Sequence, residues 1–214
     1  MRPAPVTRYS NEASLPPARS MLKTAFLTLL TLTIAIGGGT ASLWYVLRTQ
    51  DGVGAVKIGG WTAFPEIGTP NADPYSMARV ARQGILSLGR AEGLAFAAER
   101  DASGALLRRE CSYLIEGSTL PARFWTLYAA DRAGRVVKAG DGRPSALHSL
   151  ELLRQPDSSF AIAVDSRPAP GNWLAVSGSG AMRLVLTLYD TPIVGSTGIA
   201  EVELPLVVEA GCDG

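Results

Sequence analysis

Histidine is almost absent from this chain. His148 stands alone among 214 residues, which excludes multi-histidine metal sites and removes most hydrolase mechanisms that need a serine–histidine pair. It sits in a polar stretch, SALHSLELL, and is expected to be a solvated side chain in a helix or loop. Cysteine is scarce too, with only Cys111 and Cys212. Their spacing rules out a CxxC redox pair, and without neighbouring histidines they make no zinc site. Gly-rich phosphate loops are missing. Ser177-Gly178-Ser179-Gly180 reads as a flexible loop, since no strand leads into a G-x-S-x-G elbow. A basic stripe is missing as well. Lys and Arg number 20 against 19 Asp and Glu; four of the former and one of the latter precede Arg48, leaving 16 against 18 beyond it, a net charge near −2. Nothing there attracts nucleic acid. No catalytic residue, metal or cofactor is expected.

What is present is one long apolar run. Ala25 to Leu47, 23 residues, carries no charge, and about 20 apolar residues cross a bilayer core of roughly 30 Å. Thr28, Thr31 and Thr33 are tolerable inside it because their hydroxyls bond back to carbonyls one turn earlier. Trp44 and Tyr45 lie at its far end, where amphipathic rings favour the headgroup level. A cleaved signal peptide is the rival reading, with Lys23 as the charged region and Gly39-Thr40-Ala41 as the cleavage site. The apolar character resumes at Leu43 to Leu47, which favours a retained anchor. Arg2, Arg8, Arg19 and Lys23 precede the run, whereas only Arg48 and Lys57 follow it as far as Gly60. The positive side stays in the cytoplasm. The expectation is a single-pass inner-membrane protein, N-terminus inside and C-terminal part in the periplasm.

The rest falls into order around this anchor. Residues 1–23, with four prolines, are expected to form a disordered cytoplasmic tail, with Met21 an alternative start. Residues 24–48 are the transmembrane helix, 49–60 a tether, and 61–214 one domain, long enough for a sizeable core. Asp73-Pro74 is a helix start, Asp as N-cap and Pro at the first helical position, with Gly84 the stop. Strands are expected over 93–99, 106–116 (Cys111, Tyr113 and Ile115 on one face), 123–130, 135–138, 159–164, 182–189 and 202–208. Asp101–Gly104 and Asp131–Gly134 are turns, 168–174 a structured loop, and Pro205 marks an edge or bend. Strands at about ten-residue spacing give a mainly β, jelly-roll-like sandwich with one short N-terminal helix.

An even cysteine count beyond the anchor makes a Cys111–Cys212 disulfide the default. The aromatics Trp125, Tyr128, Trp173 and Tyr189 lie in or beside strands, with Arg123, Asn172 and Asp190 next to some of them. Aromatics with a few polar groups are what sugar or small-ligand pockets use, while β-sandwich cores use aromatics more often still. Arg123, Trp125, Asn172, Trp173, Tyr189 and Asp190 are therefore the candidate ligand residues. The leading function is a non-catalytic binding or interaction domain with an envelope protein or carbohydrate as partner. The alternative is a hydrolase or lyase on an envelope carbohydrate, with Asp190, Tyr189 and Asp131 converging in one cleft.

Several motifs carry a family resemblance: Asp73-Pro74-Tyr75, Cys111-x-Tyr113, Pro121 to Leu127 (PARFWTL), Pro170 to Leu174 (PGNWL), Arg183 to Tyr189 followed by Asp190-Thr191-Pro192, and Cys212 near the end. Over 61–212 the chain resembles the bacterial domain of unknown function 1214, in its short, membrane-anchored alphaproteobacterial form. The resemblance implies a jelly-roll-like β-sandwich and no established activity or catalytic residue. The stretch 193–203 departs from that pattern, and its pairing is left open.

Overall fold

The computed structural model describes residues 18–48, 54–83, 88–89, 92–140, 143, 145–195 and 202–212. It divides into two units, Met1–Tyr45 and Val46–Gly214. The first is helical. Helix α1, Ala18–Arg48, begins six residues before the expected span at 24, because Arg19, Met21 and Leu22 are themselves good helix formers. The expected tail thus shrinks to residues that lie outside those described. Within α1, Met21–Tyr45 is 25 residues long and apolar enough to cross a membrane, about 38 Å of helix. A signal sequence near an N-terminus passes the same test. The hydroxyls of Thr28, Thr31, Thr33 and Thr40 donate to the carbonyls of Thr24 (2.8 Å), Leu27 (2.7 Å), Leu29 (2.8 Å) and Ile36 (2.7 Å). These bonds leave the helix without a free hydroxyl at those positions, as an apolar solvent demands.

The second unit is mainly β, built from two sheets. Strands β1 (Val56–Ile58), β2 (Trp61–Ala63), β3 (Gly93–Ala98), β9 (Arg183–Tyr189), β5 (Phe124–Ala130) and β6 (Ala146–His148) form a six-stranded sheet in that order. Strands β10 (Leu206–Cys212), β4 (Cys111–Gly117), β7 (Phe160–Asp165) and β8 (Asn172–Ala175) form a four-stranded one. The chain changes sheet at β3–β4, β4–β5, β6–β7, β8–β9 and β9–β10, so neither sheet folds alone. Alternate residues of β4, β7, β5 and β9 are buried, the period-2 signature of strands with one face on a core. Leu94, Phe96, Trp125, Leu127, Leu184, Leu186 and Leu188 from one sheet share a single core cluster with Tyr113, Ile115, Phe160, Ile162, Val164, Leu174 and Val207 from the other. The Trp125 and Phe160 rings meet across it, centroids 5.5 Å apart. This is the sandwich that the strand spacing predicted.

Helix α2, Pro74–Gln83, starts where Asp73-Pro74 places it. The Asp73 carboxylate accepts from the Tyr75 and Ser76 amides at 2.9 and 3.1 Å, satisfying two orphan donors of the first turn. Its expected stop, Gly84, lies outside the described residues.

Several expectations change. The strand expected over 135–138 is only an isolated bridge of Val136 with Ala130, and the last strand, expected over 202–208, runs from Leu206 to Cys212. β1 falls inside the stretch read as a tether. Ile58 pairs with Trp61 across Gly59-Gly60, with Gly59 at φ 56°, a two-residue hairpin of the kind Gly-Gly favours. His148 is in strand β6 rather than a helix or solvated loop. The loop expected at 168–174 contains the start of β8, which runs parallel to β7. A parallel neighbour reached through six residues, 166–171, is unusual. Side chains tie it down: the Trp173 indole donates to the Asp165 carbonyl (3.0 Å), and the Asn172 amide donates to that of Ala161 (3.0 Å).

Candidate functional site

Six-stranded sheets with one face on a core leave the other face to solvent unless something covers it. Here the outward positions are Phe124, Thr126 and Tyr128 of β5; Arg183, Val185, Thr187 and Tyr189 of β9; Ala95 and Ala97 of β3; and Ala146 and His148 of β6. The register aligns them in rows. Phe124 faces Tyr189, which faces Gly93; His148 faces Thr126, then Thr187, then Ala95; Ala146 faces Tyr128, then Val185, then Ala97. Gly93 is confined to glycine because a Cβ there would fall 2.2 Å from the Leu188 carbonyl oxygen.

Three rings run along one end of this face. Phe124 lies 5.6 Å from His148 and 5.7 Å from Tyr189, centroid to centroid, both pairs tilted, within the favourable range for aromatic contacts. All three are half-buried. His148 Nε2 sits 3.1 Å from Glu151 Oε1, so its other nitrogen, Nδ1, is left as the ring's free position. That Nδ1 is hidden from solvent and has no partner among the described residues, and the same holds for Arg183 Nε. Buried polar side-chain atoms in folded proteins are nearly always paired; among the described residues Arg109 Nε and Glu110 Oε2 are the other two exceptions, while most are satisfied. Asp101 takes three hydrogen bonds, Asn172 makes three, and the Trp61 indole donates to Pro205 O at 2.7 Å.

Tyr128 lies between these groups. Burial pushes its hydroxyl above the ordinary tyrosine value; Arg183 pulls against that, and Tyr189 adds to it. The phenol therefore stays protonated, a neutral donor, throughout the neutral range. At the rim, Arg123 Nε meets Asp190 Oδ2 at 2.8 Å, both side chains largely exposed. Asp190 has φ 49°, a conformation aspartate tolerates better than most residues. Its amide donates to Glu92 O (3.1 Å) and its carbonyl accepts from Arg123 N (3.4 Å), so it terminates β9.

The six candidate ligand residues therefore separate. Arg123, Tyr189 and Asp190 come together at the ring end of this face. Trp125 points the other way, into the core, with 2% of its surface exposed. Asn172 and Trp173 belong to the edge of the four-stranded sheet. Asn172 there clamps Leu153, accepting from its amide (2.7 Å) and donating to its carbonyl (2.8 Å), while Arg143 lies over the Trp173 ring at 5.0 Å. The proposed carboxylate cleft does not form. Asp131 follows the Ala130 end of β5 and Asp190 the Tyr189 end of β9, and Ala130 pairs with Arg183, Phe124 with Tyr189. That is six residues of separation, about 20 Å. Asp131 is held by its own turn and by Arg135 at 2.8 Å. Phe124, His148 and Arg183 were missed by reasoning on sequence. The signal that exposes them is the period-2 phase set by Tyr189: 183, 185, 187 and 189 face one way, and 124, 126 and 128 join them.

A concavity of about 350 Å³ lies apart from this face, between the β1–β2 turn and the approach to β10, lined by Ile58, Trp61, Arg100, Asp101, Leu204 and Pro205 among others. Its indole and carboxylate already have partners within the protein.

Residues 92–193 match the family model described as "Protein of unknown function (DUF1214)". Over those residues, just under half of the chain, the sequence is similar to the DUF1214 family. The match runs from the residue before β3 to the 3-10 turn after β9, so every residue of the ring-lined face is inside it. Much of the 350 Å³ concavity, from the β1–β2 turn and from residues 202–207, lies outside the DUF1214 match. No curated protein matches the sequence. Among solved structures, the VPA0106 protein of Vibrio parahaemolyticus is similar with a TM-score of 0.52 and 14% identity over 64% of this chain. The chain spans 35% of that protein's length, and the likeness concerns the fold alone. A putative uncharacterised protein from Burkholderia cenocepacia aligns with 15% identity over 85% of this chain and 52% of its own, at a TM-score of 0.39.

Proposed function

We propose that this protein is a membrane-anchored binding module of the bacterial envelope. In this reading the anchor is retained in the inner membrane, N-terminus inside, and the domain similar to DUF1214 faces the periplasm and holds a ligand on the outer face of its six-stranded sheet without transforming it. The observation that carries the binding role is the cluster of three half-buried rings, Phe124, His148 and Tyr189, along one end of an outward sheet face. Among the described residues Asp131 and Asp190 stand at opposite ends of the β5–β9 ladder, which removes the cleft on which the hydrolase alternative rested.

The test uses the full chain in detergent micelles, screened by thermal shift against envelope carbohydrates and peptides. Ligands that raise the melting temperature of the parent protein should fail to do so for Phe124→Ala and Tyr189→Ala. Equal shifts in parent and variants would place binding elsewhere, and turnover of the bound compound would end the non-catalytic part.

A further inference from the structure

We infer that the loop after β6, residues 149–155, is a lipid-docking site, with Leu150 and Leu153 entering the interface of the bilayer that holds α1. This rests on the reading of α1 as a retained anchor and is independent of any ligand at the ring face. Leu150 is 79% exposed and Leu153 67%, the two most exposed large apolar side chains of the β domain among the described residues. Single exposed leucines are ordinary; two held outward by a fixed backbone are not. Leu153 is clamped, its amide donating to Asn172 Oδ1 (2.7 Å) and its carbonyl accepting from Asn172 Nδ2 (2.8 Å). Before it, the Ser149 amide donates to Trp125 O (2.9 Å) and the Glu151 amide to His148 O (3.1 Å); after it, the Gln155 amide donates to Ser159 O (2.9 Å). Leu152, between the two, packs against the core. The loop thus turns one leucine inward and presents two outward.

Strand register says what these leucines meet. Val56 of β1 stands level with Leu127 of β5 through Ala63, Phe96 and Leu186, and Ile58 with Ala129 through Trp61, Ala98 and Leu184. The chain therefore enters β1 from the Phe124 end of the sheet. β6 runs from Ala146 beside Tyr128 to His148 beside Thr126, so it leaves at that same end. The chain arriving from α1 and the loop bearing Leu150 and Leu153 share one end of the domain. Residues 49–55 join α1 to β1, and a stretch of that length reaches at most about 25 Å. A retained α1 thus keeps this end close to the lipid headgroups, where a protein partner has least room to approach. The charge is suited to phosphate. Arg154, next to Leu153, is exposed and takes part in no ion pair among the described residues. Its guanidinium lies over the Phe160 ring at 5.6 Å, and its NH1 makes one long bond to Ser158 O (3.4 Å). Glu151, the acid of the loop, faces His148 at 3.1 Å. Two exposed leucines with an arginine beside them match an anionic headgroup layer over apolar chains.

Quenching by brominated lipid tests the contact. The full chain, with Trp44→Phe to silence the indole of α1, is reconstituted in phosphatidylcholine–phosphatidylglycerol vesicles, with and without bromine on the upper acyl chain. Leu153→Trp places a reporter in the loop, and Leu106→Trp is the control. Leu106 is also exposed but bridges Arg100, beyond the Ala98 end of β3 and so at the opposite end of the domain. Bromolipid quenching at 153 should exceed that at 106 about twofold or more, because interfacial side chains reach the acyl boundary. Adding Leu150→Ser and Arg154→Gln should bring it down toward the control. These side chains face solvent, so the variants should keep the melting temperature of the parent and show that they fold. Quenching at 153 no greater than at 106 overturns the inference. So does a blue-shifted Leu153→Trp emission that bromolipid leaves unquenched, which would assign the leucines to a protein surface, a second copy included. Protein that leaves the vesicles in salt overturns both the docking and the retained anchor, whereas protein that stays but is unquenched overturns the docking alone.

Discussion

Aspartates at strand ends show how much a single side chain does here. Asp101 and Asp131 each open a D-x-x-G turn, and the two turns are alike. Gly104 N and Gly134 N donate to the Asp101 and Asp131 carbonyls at 3.0 Å in both. The carboxylates accept from Ala105 N (2.9 Å) and Arg135 N (3.0 Å), four residues on. Both glycines have positive φ, 90° and 85°, the conformation that a turn followed by a bulge requires. Asp101 is the buried member of the pair. Burial alone pushes its pKa up, but the hydrogen bonds from Ser103, Ala105 and Gly104 outweigh it and the net shift is downward. A carboxylate depressed in the folded state contributes stability above its unfolded value, and that contribution is lost as pH falls through the folded one. Asp101→Asn should therefore flatten the fall in stability below about pH 4, followed by urea midpoints at stepped pH. An unchanged acid limb would mean Asp101 is not depressed. Asn172 makes a different point. Its removal in Asn172→Ala leaves Leu153 and Ala161 backbone groups without their side-chain partner, so the melting temperature should drop by the equivalent of about 1–3 kcal/mol. Ligand affinity at the ring face should stay as it was, and a selective loss of affinity would return Asn172 to the site.

At the scale of elements, β10 is the strand whose place needs explaining. It is an edge strand, mostly exposed, with Val207 its buried residue, and Pro205 immediately precedes it. Its pairing with β4 runs in step from Leu206 opposite Glu116 to Glu209 opposite Tyr113, then skips Ala210. That bulge matters. Without it Gly211 would face Cys111; with it Cys212 does, at a Cα separation of 4.0 Å, and the disulfide forms. The bridge closes 101 residues of sequence separation, worth up to about 4.7 kcal/mol by chain entropy. Reduction should release β10 first, seen as faster hydrogen exchange over 206–212 before any loss of the core. Deleting Ala210 tests the bulge itself. That deletion removes the extra residue and leaves Gly211 opposite Ser112 and Cys212 opposite Cys111, so thiol titration of the variant, unfolded without reductant, should find no free cysteine, as in the parent, and two free cysteines would refute the account.

The whole molecule combines an apolar helix with a disulfide-linked domain, and each bears on the other. A disulfide persists in an oxidising compartment, so an exported domain behind a retained helix is the arrangement in which both make sense. A C-terminal alkaline phosphatase fusion should be active in cells, and the protein should resist salt extraction from membranes. A mature chain beginning just after Gly39-Thr40-Ala41 and released by salt would make α1 a signal sequence instead.

Much of this architecture was legible in the residues themselves. Ala25–Leu47 declared a helix long and apolar enough to cross a membrane because charge is excluded from it. Asp73-Pro74 declared a helix start because those two residues fit its first turn. The alternation of Cys111, Tyr113 and Ile115 within 106–116, and the β-prone runs 123–130 and 182–189, declared strands that the structure places at 111–117, 124–130 and 183–189. Two cysteines beyond the apolar run declared their pairing. What lay beyond the sequence was everything that depends on register between distant strands. Trp125 and Phe124 are neighbours in the chain, but only the pairing of β5 with β9 and the closure of two sheets decided which ring is core and which is surface. Asp131 and Asp190 were put in one cleft by chemistry and set about 20 Å apart by an antiparallel ladder. His148 and Arg183 looked like ordinary polar residues; the sheet, by aligning β6, β5 and β9, made them parts of one face. Local preference is written residue by residue, whereas a site is a set of long-range coincidences, and those exist only once the chain has closed on itself.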